Sequence, residues 1–248
     1  MYYQIDGTDV RLAGSMHKVP AGTQIPGWVH LAAQSADDLW MESDGAAVRP
    51  HMFLPPGQFL EHIAPPAVWR GLSRLWPTNY PLGPLHSLKP WAVMFGLGVM
   101  GIDFAAGVED LVTVQARRAG KTIRYLETPA EVPAALDELP IGTYIEAYDL
   151  MQDVELRRQH LSDLFAAWSG RSVGGVESVM TRAPLMRVTQ LREALFENRN
   201  RKWIPKIIEI IKSGRNSVIF VGAGHLGGPS GLLALLEREA HRASEVRV

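Results

Sequence analysis

The chain predicts an α/β fold, with helices layered on a central sheet. Two observations carry that expectation. Short β-branched and aromatic runs alternate with segments of helical period, and two of those runs end in the same Gly-x-x-His pattern. With 248 residues, 46% of them hydrophobic and 21% charged, the chain can bury a sizeable core. No low-complexity linker interrupts it, so 1–248 reads as a single domain.

Taken in order, 2–5 and 9–13 form a hairpin about Asp6-Gly7, with a type I′ turn expected because Asp-Gly tolerates positive φ. A short helix starts at about Trp28 and carries Ala32, Ala33 and Ala36. The apolar segment Leu39-Trp40-Met41 then runs into Glu42-Ser43-Asp44. Between about 55 and 100 the chain is rich in Pro and Trp. There Phe59, Leu60, Ile63, Val68, Trp69, Leu72 and Leu75 recur at helical intervals, which predicts a helical insert over the core. The longest apolar stretch, 91–102, falls well short of the ~20 residues that span a bilayer, so it reads as buried helix or turn and no membrane span is expected. Residues 111–119 predict a helix capped by Gly120, and 122–126 a strand running into Glu127. Helical blocks follow at about 144–168 and 188–213, with 170–175 as the loop between them. The most apolar strand signal is 217–221, and 232–239 supplies a final helix.

Lys plus Arg is 25 against 26 for Asp plus Glu, a net charge of -1, so no basic field attracts nucleic acid or an anionic membrane. There are no cysteines, which excludes disulfides, thiolate metal sites and a Cys nucleophile. His, Asp and Glu must then supply any ligands or bases. The first residues lack the basic stretch and long apolar run of a signal peptide, and the sequence as given predicts a cytoplasmic protein.

The chemistry is expected at strand ends. Residues 10–13 run into Gly14-Ser15-Met16-His17, and 218–221 into Gly222-Ala223-Gly224-His225. A Gly at the strand end lets the backbone turn sharply, so a His three residues on can project over the carboxyl edge of a sheet, where α/β proteins place ligands. Glu42 and Glu127 follow two further strands. Four strand ends would thus offer two imidazoles and two carboxylates. Two His and one carboxylate make a recurrent site for Zn, Mn, Co or Fe, with the remaining carboxylate as base for a bound water. Each residue also has a plainer reading, a hydrogen-bonded structural His or a Glu that caps a helix. Arg199, between two Asn, is either a solvated helix charge or an inward clamp for a carboxylate or carbonyl. The runs Gly222-x-Gly224-x-x-Gly227 and Gly96-x-Gly98-x-x-Gly101 imitate a dinucleotide loop. Neither has the βαβ context and the acidic residue roughly 20 positions on that such a loop needs. His30, His51, His62, His86, His160 and His241 read as surface or packing residues.

With those residues in hand, the chain resembles the TraB/GumN family, which includes the TIKI metalloproteases and is distantly similar to erythromycin esterase and the haem-binding ChaN proteins. The resemblance covers nearly the whole chain and lies in Leu12-Ala13-Gly14-Ser15-Met16-His17, Glu42-Ser43-Asp44, Pro56-Gly57-Gln58, Lys89-Pro90-Trp91, Gly101-Ile102-Asp103, Leu126-Glu127-Thr128, Asn198-Arg199-Asn200 and Val221-Gly222-Ala223-Gly224-His225-Leu226. It implies a layered α/β/α fold whose central sheet is built from two related halves meeting at the site. It also implies that His17 and His225 are the family's two Gly-x-x-His residues, with Glu42 its early Glu and Arg199 and Asn200 its Arg-Asn motif, which contacts substrate. The family's usual Gln after Leu-Glu-Thr is Val132 here.

Three functions follow as expectations. The first is a divalent-metal-dependent hydrolase, TIKI-like, cleaving a peptide. In it His17, His225 and Glu42 bind one ion (Mn, Co or Zn), Glu127 or Glu42 takes the proton, and Arg199 stabilises the oxyanion. The second is a protein that binds a hydrophobic peptide or haem without turnover, using the Trp-rich insert as a lid. The third is a metal-independent esterase. Peptide or small-molecule substrates are the expected partners, and the oligomeric state is open.

Overall fold

A computed structural model describes residues 1–247. Its strands are β1 (Tyr2–Ile5), β2 (Val10–Ser15), β3 (Lys18–Pro20), β4 (Asp38–Met41), β5 (Phe104–Ala106), β6 (Ile123–Tyr125), β7 (Ser217–Gly222) and β8 (Ala243–Glu245). Six of them form the central sheet in the order β6-β4-β7-β2-β1-β8, while β3 and β5 pair separately. The strands β6, β4, β7 and β2 run parallel to one another, and β1 is antiparallel to both β2 and β8. The result is the α/β architecture expected, with a mixed sheet. In β7, Val218, Ile219, Phe220 and Val221 are all buried. Consecutive residues of a strand point to opposite faces, so both faces of β7 are covered, as the continuous apolar run requires.

The helices surround this sheet. Up to residue 137 they are α1 (Gly27–Ser35), α2 (Gly45–Val48), α3 (Leu60–Ile63), α4 (Pro66–Leu75), α5 (Pro90–Val99), α6 (Val108–Arg118) and α7 (Glu131–Asp137). The rest of the chain adds α8 (Ile141–Leu150), α9 (Val154–Ser169), α10 (Val173–Arg182), α11 (Pro184–Arg187), α12 (Thr189–Arg192), α13 (Asn198–Lys212) and α14 (Leu232–Arg238). A π-helical turn, Glu193–Glu197, joins α12 to α13. No helix is long and apolar enough to cross a membrane among the described residues.

Two hydrophobic cores result among the described residues. One packs α1, α6, α13 and α14 on the sheet through Trp28, Val112, Trp203 and Leu236. The other unites the helical stretch of 60–99 with α8 and α12, through Leu60, Leu72, Trp91, Tyr148 and Leu191. The insert at 55–100 is therefore one part of a cap to which residues 132–151 and 185–196 also contribute.

Several local expectations change. The first hairpin pairs as anticipated, Tyr2 with Ala13 and Gln4 with Arg11, but its turn is not type I′. That type requires positive φ at both central residues, whereas in this loop only Gly7 has it, at φ +73°. Instead, Thr8 N donates to Ile5 O at 3.1 Å and the Thr8 hydroxyl accepts from Val10 N, also at 3.1 Å. The block at 144–168 is broken after Leu150 because Asp153 caps a new helix, accepting from Leu156 N at 2.9 Å. Ser172 likewise starts α10 inside the anticipated 170–175 loop, accepting from Gly175 N at 3.0 Å.

Candidate functional site

Four adjacent parallel strands end at one edge of the sheet, and each delivers one of the expected side chains. Along that edge the order is Glu127 after β6, Glu42 after β4, His225 after β7 and His17 after β2. The two carboxylates stand side by side because the β4–β6 ladder continues past the strands, with Leu126 N on Met41 O at 2.9 Å and Glu127 N on Glu42 O at 3.0 Å. The two Gly-x-x-His segments are neighbours offset by one residue, Gly14 opposite Val221 and Ser15 opposite Gly222. Above Gly222 the groups converge. A Cβ there would lie 3.2 Å from Glu42 Oε1, 3.4 Å from the His225 ring and 3.7 Å from His17 Nε2, so the bare glycine keeps that space open.

Arg199 reaches this edge from the start of α13. Its Nη2 donates to Glu42 Oε2 and to Glu127 Oε1, both at 2.5 Å, and its Nε lies 3.2 Å from each Glu127 oxygen. Its Nη1 donates to Leu195 O at 3.0 Å and to His225 Nε2 at 3.3 Å. Between the two readings open for Arg199, solvated or inward, the structure has the inward one, with the guanidinium bridging two buried carboxylates. Trp203, one turn on in the same helix, donates from Nε1 to Glu127 Oε2 at 3.1 Å, and its ring lies 4.6 Å from the guanidinium carbon.

Both imidazoles are held through Nδ1. Asn200 Nδ2 donates to His225 O (3.3 Å) and Ser230 O (2.8 Å), so its Oδ1 is the atom left to accept from His225 Nδ1 at 2.6 Å. A hydrogen on Nδ1 leaves His225 Nε2 as a bare lone pair, consistent with its accepting from Arg199. Burial lowers the His225 pKa to about 3, so the ring is neutral. Phe196 and Trp203 flank it at 4.9 and 4.7 Å. On the other side, Glu109 Oε1 takes His17 Nδ1 at 3.1 Å and the Ser15 hydroxyl at 2.5 Å. The Glu109 charge raises His17 to about 9. Burial alone would push Glu42 up, but the charges of Arg199 and His17, the neighbouring His225 ring and the Gly222 N–H, at 2.6 Å from Oε1, hold its carboxyl well below the usual carboxylate range. Burial raises Glu127, against its bonds from Arg199.

The six expected residues are thus brought together, while His30, His51, His62, His86, His160 and His241 are not among them. Sequence reasoning missed Glu109, Phe196 and Trp203. Trp203 had a signal, the i,i+4 spacing from Arg199 on one helix face. Glu109 had none, because it meets His17 through the docking of α6 and not through local spacing.

The donor chemistry fits a divalent ion. Neutral imidazole nitrogen and carboxylate oxygen suit it, and each ring has its Nδ1 engaged, as metal-bound His commonly does; His225 is already neutral, whereas His17, held protonated beside Glu109, must release its Nε2 proton to bind. The spacing is open, with Glu42 Oε1 3.7 Å from His225 Nε2. No three His, Asp or Glu side chains stand close enough to enclose an ion among the described residues.

A family model described as TraB/PrgY/gumN family matches residues 3–244. No curated protein and no solved structure matches the chain.

Proposed function

Since the chain belongs to the TraB/PrgY/gumN family over essentially its whole length, we propose that it is a hydrolase of peptide bonds whose working form holds one divalent ion through His17, His225 and Glu42. One observation carries the reading: His225 is fixed by Asn200 with its unprotonated Nε2 beside Glu42 and above the same glycine that His17 approaches.

A bound divalent ion would supply a Lewis acid for the scissile carbonyl and a water of lowered pKa. The chain's own groups have separable tasks. Glu42, kept ionised beside Arg199, is better placed than Glu127 to accept the proton of the attacking water, because its Oε1 faces the space above Gly222 where both imidazoles converge, whereas Glu127 faces Arg199 and Trp203. Glu127 holds the Arg199 guanidinium in place. The Nη1 edge of Arg199, beside His225, offers a fixed cation where an oxyanion develops.

A second reading, the metal-independent esterase, is favoured by Arg199 itself. Its guanidinium already neutralises the two carboxylates and bonds His225 Nε2, so the His and Glu set is held together with no ion between them.

Metal content by elemental mass spectrometry, on wild type and H17A incubated with Mn, Co and Zn, is paired with peptide and ester hydrolysis before and after chelation. The expected result is about one ion per chain, lost in H17A, with peptide hydrolysis abolished by chelator and restored by metal. Ester hydrolysis that survives chelation supports the second reading. Loaded protein that hydrolyses neither class overturns the assignment as a hydrolase.

A further inference from the structure

A cavity of ≈ 220 Å³ lies on the far side of Phe196 from His225, walled mainly by apolar side chains that include Phe104, Leu161, Leu164, Met180 and Phe196 itself. It adjoins the site through three of its residues. The Phe196 ring is 4.9 Å from the His225 ring, and the Met180 methyl is 2.9 Å from where a Cβ on Gly224 would stand. Lys18, which also lines the cavity, directly follows His17.

The charge on these walls has one sign. No Asp or Glu lines the cavity, whereas Lys18, Arg157 and His160 do. Arg157 is taken up by the end of α5, donating to Gly98 O at 3.2 Å and Met100 O at 2.8 Å. Burial lowers the pKa of His160, which favours its neutral form. Lys18 remains: it forms no ion pair among the described residues, and its ammonium sits 5.2 Å from the centre of the Phe104 ring, at the cavity. An apolar hole with one free cation at its wall complements an apolar group that carries a carboxylate.

We propose that this cavity is the subsite for the C-terminal residue of a peptide, an apolar side chain filling it and the free carboxylate meeting Lys18. The proposal rests on the hydrolase reading for its consequence, which is carboxypeptidase-type cleavage. The pocket places the last residue against the histidine side of the site, so the bond broken is the one before that residue. Water oxygen bonds to the carbonyl carbon, the C–N bond breaks, and a water proton ends on the departing amine of the free C-terminal amino acid.

Binding is tested apart from turnover, so the two readings fail separately. In protein labelled at methionine methyls, Met151, Met180 and Met186 line the cavity and report occupancy by NMR. The probes are an N-acetyl tripeptide ending in Leu, as free acid and as C-terminal amide, and octanoate. Expected are saturable shifts of those three methyls with the free acid and binding about tenfold weaker with the amide. K18Q should reduce free-acid affinity to that of the amide while leaving the amide unchanged, and L164W, which fills the cavity, should abolish both. Equal affinity for acid and amide, or shifts elsewhere only, overturns the proposal, and octanoate binding more tightly than the peptide overturns the peptide as occupant. Shifts as expected without any hydrolysis leave the subsite standing and count against the hydrolase.

Discussion

Asn200 leaves His225 no choice of tautomer, and that is the most consequential local constraint in the site. Replacing it by Ala frees Nδ1 and removes the bonds to His225 O and Ser230 O. N200A is expected to lower the rate or metal affinity by about 10–100-fold, the usual effect of losing a residue that orients a functional His, and ¹⁵N shifts of the ring should show mixed tautomers. Arg199 has a different weight. R199M leaves Glu42 and Glu127 buried side by side without their shared cation, and breaking a buried ion pair by removing one partner costs about 3–5 kcal/mol. Thermal unfolding should show that loss, and adding E127Q to R199M should recover part of it. His17 is the exposed member of the set, its side chain 64% accessible, yet Glu109 raises its pKa to about 9. In E109Q an NMR titration should return it toward 6.5.

At the scale of elements, the site depends on backbones that approach too closely for a side chain. Gly107, at the start of α6, sits against the carbonyls of Met16 and His17, where a Cβ would overlap backbone atoms, and Val108 N donates to Met16 O at 2.9 Å. G107A must therefore push α6 away from the segment after β2, carrying Glu109 off His17. It should lower both the melting temperature and the His17 pKa, whereas G142A, at an open helical position, should lower neither. The π turn Glu193–Glu197 acts on the other side. Leu195 O receives Arg199 Nη1 from within it, so the extra residue of the wider turn sets which way α13 aims its guanidinium. Strand ends were legible in the sequence because a glycine after an apolar run is a local signal, whereas the π turn, the break at Asp153 and the early start of α10 depend on caps and packing that a periodicity does not contain.

The whole molecule should be most stable near pH 6.5 when metal-free. His225 has a folded pKa of about 3 against 6.5 unfolded, so the unfolded chain binds the extra proton and stability falls as the pH drops from 6.5 toward 3. Glu42 has the same sign, its contribution present above about 4.5 and lost below it. His17 has the opposite sign: its contribution is full below 6.5 and lost as the pH rises through about 9, and solvent screening keeps it small. Denaturant melts across pH should show a steep acid limb that flattens in H225Q and a shallow alkaline limb that flattens in H17Q.

The sequence by itself determined the parallel strand ends, the residues that stand on them, and a family membership spread along the chain, because alternation, glycine placement and apolar runs are local properties of neighbouring residues. Tertiary structure alone decided which strand lies beside which. It put β7, near the end of the chain, between β2 and β4, and so set His225 between Glu42 and His17. It also brought in Glu109 from α6 and closed Arg199 onto two carboxylates, since contacts between residues far apart in the chain are fixed by how helices dock on the sheet and leave no period or spacing to read.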